Sequence, residues 1–363
     1  MPRRRDVAFI RKLCSLEVAP QTLTQSLLPA LRVLIPSHSA GVFWVDDSGE
    51  MTGLYAERML PPDAMAAYHE RHYRSTEEGF SEAFRRRARA ADPVTYHSFT
   101  RVEQASGYFR DVLARLDAYH VMYGILKSGT HPVAQISFYR GEHDRPFDAA
   151  AADALRPLLG YIAGAVVRVP VSAQSQEGAV TVEEALGIVD AEGRVIAGSE
   201  PWRHLVRLAA LAQLSPRDAG REGQETERFL RRISTQVLAL RAGAQVRSEF
   251  SWETSWGQFT ARGYRLSDPR GRRTDQVGVV IRRAEPRTLA LVRGVGRSSL
   301  SPQQREVALL LARGRTNREI AQTLGLSFNT ASYHVRQVYA RLDVNERSMV
   351  EERLLSLAAP GSP

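Results

Sequence analysis

The sequence predicts two α+β domains, each an antiparallel sheet with helices, followed by an all-α domain of four short helices. Two groups of β-type runs, separated by helix-type segments, predict the two sheets. From residue 300 onward such runs are absent, and apolar residues recur at helical spacing between helix-capping residues. The chain therefore changes fold class near its C-terminal end.

The first predicted domain covers residues 1–170. Apolar residues at helical spacing between residues 8 and 34 predict helical structure at its start, and segment 148–167 predicts a closing helix. Between them lie two hairpins, whose predicted strands are GVFWV (41–45), TGLYAE (52–57), VMYGILKS (121–128) and PVAQISFYR (132–140). This order of helix, hairpin, helices, hairpin and helix resembles a GAF-type sensor domain.

The second predicted domain covers residues 179–285. It begins with a hairpin, ALGIVD (185–190) and VIAGS (195–199), and two helices follow, the longer at about 223–242. Three strands close the domain, namely VRSEFSWE (246–253), QFTARGYRL (258–266) and QVGVVIRR (276–283). Two strands, helices and a three-stranded meander resemble a PAS domain. Residues 286–299 are predicted to connect this domain to the last one.

The last predicted domain, residues 300–358, contains four helices whose starts are marked by capping residues. In chain order these are Ser301 with Gln304, Thr316 with Glu319, Ser327, and Asn345. A turn at Gly325 separates the second helix from the third, which is the spacing of a helix-turn-helix. In that motif the third helix enters the major groove of DNA.

This segment resembles the LuxR-type (NarL/FixJ-like) helix-turn-helix family in one register without a gap. The matching residues are Leu300-Ser301, Arg305-Glu306-Val307, Gly314, Thr316-Asn317, Glu319-Ile320-Ala321, Leu324, Ser327, Thr330, His334, Leu342, Val344 and Arg347. The resemblance implies a transcriptional regulator whose third helix contacts bases and whose fourth helix often dimerises. Ala331 and Ser332 depart from the residues common in the family, so no family operator sequence is implied.

Polar side chains on the outward face of the third helix, and at the start of the second, are predicted to contact DNA. By the resemblance, Ser332, Tyr333 and Arg336 match base-facing positions, and Asn317 and Thr330 match backbone contacts. Arg336 has the chemistry to hold either a guanine or a phosphate. The full predicted set is Thr316, Asn317, Asn329, Thr330, Ser332, Tyr333, Arg336 and Gln337.

Aromatic residues are concentrated in the first predicted domain. Because small-molecule pockets are mostly apolar and aromatic with a few polar anchors, we expect an effector pocket there. Its predicted lining is Trp44, Tyr55, Tyr68, His72, Tyr73, Tyr96 and Tyr123. The alternative is a plain aromatic core, with the GAF-like and PAS-like units serving only dimerisation or partner binding. Tyr68, Tyr73 and Asp92-Pro93 faintly resemble the pocket of acyl-homoserine-lactone receptors, but the tryptophans expected there are missing.

Other functional classes find little support in the sequence. There is no Walker phosphate loop, no G-x-S-x-G elbow and no H-E-x-x-H zinc pair, so no enzyme is predicted. A single cysteine, Cys14, excludes an internal disulfide and a multi-cysteine metal site. The PAS-like domain lacks the cysteine of LOV-type flavin chemistry, and its one histidine, His204, is expected on a helix surface or in packing. No cofactor and no metal are therefore predicted.

Charge and hydropathy predict the kind of partner that the protein binds and the compartment in which it lies. The net charge of +9 attracts polyanions, nucleic acid first. No apolar run reaches the roughly 18 residues that cross a bilayer, and the start does not have the pattern of a signal peptide. We expect a cytoplasmic homodimer that binds double-stranded DNA and a small-molecule effector, without membrane contact. RNA polymerase is a further candidate partner.

Overall fold

The computed structural model describes residues 4–58, 60–72, 80–167, 178–211, 219–239 and 248–358. Internal contacts divide the chain into two units. One comprises Met1–Val171 with Ala185–Ile281, and the other comprises Ser172–Glu184 with Arg282–Pro363. Two five-stranded sheets with their helices come first in the chain, and a group of five helices follows.

The first sheet is formed by β1 (Ser39–Val45), β2 (Met51–Ala56), β3 (Val94–Ser98), β4 (His120–Ser128) and β5 (His131–Arg140). Its strand order is β2-β1-β5-β4-β3, with antiparallel neighbours. The accompanying helices are α1 (Arg4–Cys14), α2 (Pro20–Leu34), α3 (Pro62–Ala67), α4 (Phe80–Arg89), α5 (Arg101–Gln104), α6 (Ala149–Leu155) and α7 (Leu159–Val166). Tyr68–His72 and Phe109–Leu113 are single π-helical turns. Both predicted hairpins are present, as β1–β2 and β4–β5.

One face of this sheet is an apolar core against α6 and α7. Successive side chains of a strand point to opposite faces, so even-numbered residues of β4 and β5 share this one. A Cβ on Gly124 would come within 2.9 Å of Leu159. The Trp44 Nε1 donates a 3.0 Å hydrogen bond to the Val166 carbonyl and joins the sheet to the end of α7. The strand residues of this core, all fully buried, are Met122, Leu126, Ala134, Ile136 and Phe138.

The opposite face of the first sheet is mixed in character. Odd-numbered residues of β4 and β5 point there, and an apolar cluster forms where Phe109 and Leu113 meet Val121 and Tyr139. Beside this cluster, Gln135 and Ser137 are polar and almost completely buried. The two faces therefore differ: along β4 and β5 one face carries buried apolar side chains, and the other also carries buried hydrogen-bonding groups.

The second sheet is formed by β6 (Ala179–Val189), β7 (Val195–Gly198), β8 (Ser248–Thr254), β9 (Gly257–Ser267) and β10 (Arg273–Pro286), in the order β7-β6-β10-β9-β8. Between β7 and β8 lie α8 (Glu200–Ala210) and α9 (Ala219–Ala239). The Trp202 side chain is fully buried, and its Nε1 donates to the Val279 carbonyl at 3.0 Å. The paired residues Gly187 and Gly198 lie against its ring, where a Cβ would come within 2.4 Å and 2.6 Å respectively. These two glycines make room for the indole.

The C-terminal helices are α10 (Arg287–Arg297), α11 (Pro302–Ala312), α12 (Asn317–Leu324), α13 (Phe328–Leu342) and α14 (Arg347–Ala358). α10 packs on α14 and on α11, while α11 also packs on α13. Arg293 and Arg297 donate to the Ala358 carbonyl at the end of α14, at 2.9 Å and 3.0 Å. Cations at a helix C-terminus satisfy its free carbonyls and interact favourably with the helix dipole.

The buried carboxylate of Glu285, just before α10, holds the start of this group together. Its Oε1 lies 2.6 Å from Nη2 of Arg293, and its Oε2 accepts from Nη1 at 3.0 Å. Glu285 is fully buried, and Arg283 beside it is nearly so. Removing one partner of a buried ion pair is costly because the other charge is left desolvated.

The structure differs from the sequence prediction in the strands of the first sheet and at residues 286–299. Residues 8–34, predicted to be helical, lie largely in α1 and α2. β3 (Val94–Ser98) was not predicted, and it adds a fifth strand at the edge of the first sheet. The segment 286–299, predicted as a connector, contains α10, whose Leu289, Ala290, Leu291 and Val292 are buried. In the described part of the chain, no helix is both long and apolar enough to cross a membrane.

The contact between α10 and α14 gives a first prediction. A Cβ on Gly294 would come within 2.0 Å of the Leu354 backbone oxygen, so the Gly294→Ala variant must push the two helices apart. Overpacking of this kind typically costs about 1–3 kcal/mol. We expect a lower midpoint of urea unfolding for the C-terminal helices, followed by circular dichroism.

The matched control is Gly160→Ala in α7, where nothing lies within 4 Å of the new Cβ. Alanine favours a helix over glycine by roughly 0.5–1 kcal/mol, so this variant keeps or gains stability. If Gly294→Ala were as stable as Gly160→Ala, the close approach of α10 to α14 would be wrong.

Candidate functional site

The segment from α12 to α13 has the local features of a helix-turn-helix. Thr316 caps α12 in a capping box with Glu319, and Gly325 ends the helix at φ 63°. The Ser327 hydroxyl then accepts a 3.1 Å hydrogen bond from the Thr330 backbone amide and so caps α13. The predicted caps at Ser301, Thr316 and Ser327 are confirmed, whereas α14 begins at Arg347, so Asn345 does not hold the cap position predicted for it. The starts of α12 and α13 are thus each stabilised by a capping contact between residues three positions apart in the sequence.

The capping box also affects the charge of Glu319. Hydrogen bonds from the Thr316 backbone amide and hydroxyl, and a further one from Arg315, lower the pKa of the Glu319 carboxyl. A lowered pKa means that the cap is intact above the ordinary carboxyl pKa and weakens as the pH falls through the lowered value. The start of α12 is therefore intact at neutral pH.

α13 presents a polar, exposed surface on the side away from its core. Ala331, Val335, Val338 and Leu342 are buried, as expected for its inward stripe. Of the predicted DNA-contacting residues, Thr316, Asn329, Thr330, Tyr333 and Arg336 are exposed, and Asn317, Ser332 and Gln337 are partly exposed. Tyr333 is 54% exposed, which is unusual for a large aromatic residue. The exposed polar side chains of α13 are accessible enough to enter a DNA groove.

Asn317 has a second role that the sequence did not indicate. Its Nδ2 donates to the Ser332 hydroxyl at 3.3 Å, and its Oδ1 accepts from Arg347 at 2.7 Å. Arg347 also donates to the Arg315 carbonyl. Asn317 thereby links the starts of α12 and α14 to α13. Its contact with DNA stays a prediction, and its positioning contacts are an addition.

Several arginines on this surface have no carboxylate partner. Among the described residues, Arg336 on α13, Arg318 on α12 and Arg313 are exposed and form no ion pair. Arg315, by contrast, is ion-paired with Glu319 at 3.1 Å. Unpaired guanidinium groups are the ones that attract phosphates or base edges. Arg336 is the one that lies within the exposed polar surface of α13.

Sequence reasoning missed Phe328. It is the first residue of α13 and is 55% exposed. It was not among the residues predicted to contact DNA. Its position directly after the Ser327 cap is the signal that could have placed it outward, since the first turn projects beyond the packed part of the helix.

The structure divides the predicted effector residues between the two faces of the first sheet. Trp44 hydrogen-bonds to α7, and the Tyr55 ring lies 5.6 Å from that of Trp256, so both point to the face away from Tyr123. Tyr96 pairs with Met122 on that same face and is 45% exposed. These three residues are therefore not brought together with Tyr123 in one pocket.

The remaining predicted effector residues belong to the mixed face. Tyr68 and His72 both contact the ring of Tyr108, with centroid distances of 6.5 Å and 5.6 Å. Tyr123 lies on the same face, beside the buried Tyr139. The His72 Nε2 is 2.8 Å from the Asp111 carboxylate, and this hydrogen bond is the largest cause lowering the pKa of Asp111. Tyr73 lies outside the described residues.

Comparison with known families supports the interpretation of the C-terminal helices. The family model described as "Bacterial regulatory proteins, luxR family" matches residues 298–350. This range begins just after α10, covers the helix-turn-helix and ends within α14.

Two curated relatives match a segment of about fifty residues. SgaR of Hyphomicrobium methylovorum, named as a probable transcriptional regulatory protein, is 43% identical over 51 residues, or 14% of this chain and 24% of that protein. YhjB of Escherichia coli (strain K12) is 42% identical over 50 residues, or 14% of this chain and 25% of that protein. The match thus spans about a quarter of either relative's length.

Solved structures show only a distant likeness. A phage VqmA–DPO complex has 20% identity and a TM-score of 0.18, covering 50% of this chain and 86% of that one. The VqmA dimer of Vibrio cholerae has 15% identity and a TM-score of 0.19, covering 48% and 82%. At these scores nothing about this chain follows from the likeness.

The cap of α13 yields a second prediction. Ser327→Ala removes the acceptor of the Thr330 amide, which costs about 1 kcal/mol in a typical N-cap. We expect the Thr330 amide to exchange with solvent about fivefold faster, as measured by hydrogen exchange with NMR detection.

Ser327→Asp serves as the control, because aspartate is as good an N-cap as serine. It should retain slow exchange at Thr330. Equal exchange rates in the wild type and Ser327→Ala would show that the side chain does not stabilise the first turn of α13.

Proposed function

Because residues 298–350 form a helix-turn-helix domain of the luxR family, we propose that this protein is a sequence-specific DNA-binding regulator of transcription. The observation that carries the proposal is the exposed polar surface of α13, with Arg336 unpaired among the described residues. A helix with this surface fits the major groove, where donors and acceptors distinguish the base pairs.

In this proposal the predicted residues divide by role. Ser332, Tyr333 and Arg336 contact base edges, with Gln337 and Asn329 beside them. Thr316, Asn317 and Thr330 lie at the starts of α12 and α13, where backbone amides and short polar side chains suit phosphates. Asn317 holds its position through Arg347 and Ser332. Phosphate contacts of this kind fix the register on DNA but carry no sequence information.

The N-terminal region is proposed to control the DNA-binding domain. We take residues 1–170 as a GAF-like domain and residues 179–285 as a PAS-like domain, with 286–299 joining them to the domain at 300–358. A small-molecule effector binds the first of these. The mixed face of the first sheet supports this, because Tyr68, His72 and Tyr123 lie there beside buried polar groups.

Arg336→Ala tests the DNA contact directly. The variant removes an exposed side chain that forms no hydrogen bond or ion pair with the residues that the structure describes, so the fold should be unchanged. We expect affinity for a site selected from random DNA by the wild type to fall by roughly 1–3 kcal/mol, measured by fluorescence anisotropy. A loss confined to the selected site would indicate a base contact.

The control is Arg232→Ala on α9, which removes one exposed arginine outside the helix-turn-helix domain. Its affinity for the selected site should equal that of the wild type. If Arg336→Ala weakens selected and unrelated DNA equally, and lowers the salt slope by about 1, Arg336 holds a phosphate. Unchanged affinity would remove Arg336 from the interface.

A second copy of the chain is the proposed partner, because one helix-turn-helix makes few base contacts and most such proteins bind two half-sites. The outer face of the second sheet supports this. Gly187 faces Trp202, so the neighbouring Leu186 points the other way, where it is 56% exposed close to Gly278 and Leu266. Tyr264, in phase with Leu266 on β9, is 40% exposed. The same face favours the second candidate function, in which the N-terminal units serve dimerisation alone.

Leu186→Glu should disrupt this dimer, because a charge would replace the most exposed apolar side chain named on the face. Sedimentation equilibrium at micromolar concentration measures the outcome. The matched control is Val102→Glu on α5, where the valine is 85% exposed. A wild-type monomer would contradict the dimer, and a dimer unaffected by Leu186→Glu would place its contact elsewhere.

A further inference from the structure

The mixed face of the first sheet carries a connected set of polar side chains, which we name the Arg87 cluster: Arg87, Tyr123, Gln135, Ser137 and Tyr139. Strand register brings the last four together, since Tyr123 pairs with Ser137 across β4 and β5, and Gln135 and Tyr139 are in phase with Ser137. Residues paired directly across strands point to the same face. Gln135 and Ser137 are 2% and 0% exposed.

Arg87 extends from α4 over this face. Its guanidinium carbon lies 3.7 Å from the ring centroid of Tyr123, and Nη1 donates to the Gln135 Oε1 at 3.0 Å. Gln135 Nε2 in turn donates to the Ser137 hydroxyl at 3.0 Å. Of the carboxylates that the structure describes, none forms an ion pair with Arg87. The guanidinium group is thus held by the Tyr123 ring and the Gln135 amide. Within the described residues, most of its five N–H donors have no hydrogen-bond acceptor.

The neighbouring hydroxyl groups are neutral hydrogen-bonding groups. Burial raises the pKa of the Tyr139 hydroxyl, and Tyr123 beside it adds to the rise. Burial likewise raises the pKa of Tyr123, against the opposing charge of Arg87. The Ser39 hydroxyl, opposite Tyr139 in the register, is buried and has no hydrogen-bond partner within the described structure. A buried unsatisfied hydroxyl costs free energy unless a bound molecule satisfies it.

An aromatic wall borders the Arg87 cluster. Phe43 pairs with Gln135 across β1 and β5 and therefore points to the same face. Its ring centroid is 5.5 Å from that of Phe80, which stacks on Phe84 at 5.9 Å. Phe80, Phe84 and Arg87 lie along one side of α4, since residues three and four apart are neighbours on a helix. The cation and the aromatic wall are thus presented by the same helix.

We propose that this face binds a small aromatic carboxylate, with its carboxylate on Arg87 and its ring beside Phe43 and Phe80. The inference rests on the proposed regulator function and names the chemical class of its effector. A carboxylate matches the planar donor fork of Arg87, which pairs with two oxygens at once. The neutral phenols of Tyr123 and Tyr139 offer further donors to the carboxylate or to a ring substituent. The Tyr123 ring and the Gln135 amide hold the Arg87 guanidinium on this face without neutralising its charge.

The test compares benzoate with benzamide on the full-length wild-type protein. The two molecules have nearly the same shape, and only benzoate carries the charge that Arg87 would pair with. We expect benzoate to bind at least tenfold more tightly than benzamide in isothermal titration calorimetry, and to raise the melting temperature. Equal binding of the two, or no binding of benzoate at millimolar concentration, overturns the proposal.

Two variants of α4 locate the site. Arg87→Gln keeps a side chain that can hydrogen-bond to Gln135 but removes the charge, and it should weaken benzoate binding at least tenfold. Arg86→Gln removes the adjacent, exposed arginine and should bind benzoate as the wild type does. Weakening by both variants alike would show general electrostatic attraction, which contradicts a site at Arg87. If Arg87→Gln fails to fold, the benzoate–benzamide comparison still decides the proposal.

Binding to the selected DNA site, measured separately without benzoate, keeps the two proposals apart. Normal DNA binding without benzoate binding overturns the effector class and leaves the regulator function intact. Benzoate binding without DNA binding leaves the effector site standing and contradicts the regulator function.

Discussion

The arrangement of the C-terminal helices depends on one close contact, that of Gly294 in α10 with the backbone of Leu354 in α14. Only a residue without a side chain lets the two helices approach so closely. At this distance Arg293 and Arg297 reach the last carbonyls of α14, and Arg293 also meets the buried Glu285. α11 packs on both helices and also on α13. The proposed DNA-contacting helix is thus supported by a scaffold that starts immediately after β10, and the luxR-family match does not include α10.

Helix boundaries in this domain were predictable because their signals are local. Ser301, Thr316 and Ser327 each cap a helix through the amide three residues further on, so neighbouring residues carry the whole signal. α10 was not predicted as a helix because its formation depends on long-range packing and not on a local signal. Its sequence RTLALVRGVGR contains two glycines, each unfavourable in a helix by about 1 kcal/mol relative to alanine. The burial of Leu289, Ala290 and Val292 outweighs that propensity, and burial against α14 is a long-range property.

The predicted effector residues show a different limit of prediction from sequence. The aromatic residues were predicted as one group, but a strand places successive side chains on opposite faces, and sequence alone does not tell which face is apolar core. Trp44 and Tyr55 therefore contact α7 and Trp256, away from Tyr123. Arg87 was overlooked because it lies in FSEAFRRRAR, a segment that has the composition of a solvated helix. Only the packing of α4 on the sheet shows that Arg87 differs from Arg86 and Arg89.

The chemistry of the two sheet faces explains why an effector site would lie on one of them. The face against α6 and α7 is filled mostly by apolar side chains of the strands, and its Trp44 indole is already hydrogen-bonded to the Val166 carbonyl. On the other face, Arg87 is neutralised neither by aspartate nor by glutamate among the described residues, and is held by Gln135 and Tyr123. A self-contained ion pair would have stabilised the empty state and opposed binding, since a ligand would have to displace the carboxylate. An amide and a ring hold the guanidinium in place while leaving its charge available, and a bound anion then stabilises this face of the sheet through charge-assisted hydrogen bonds.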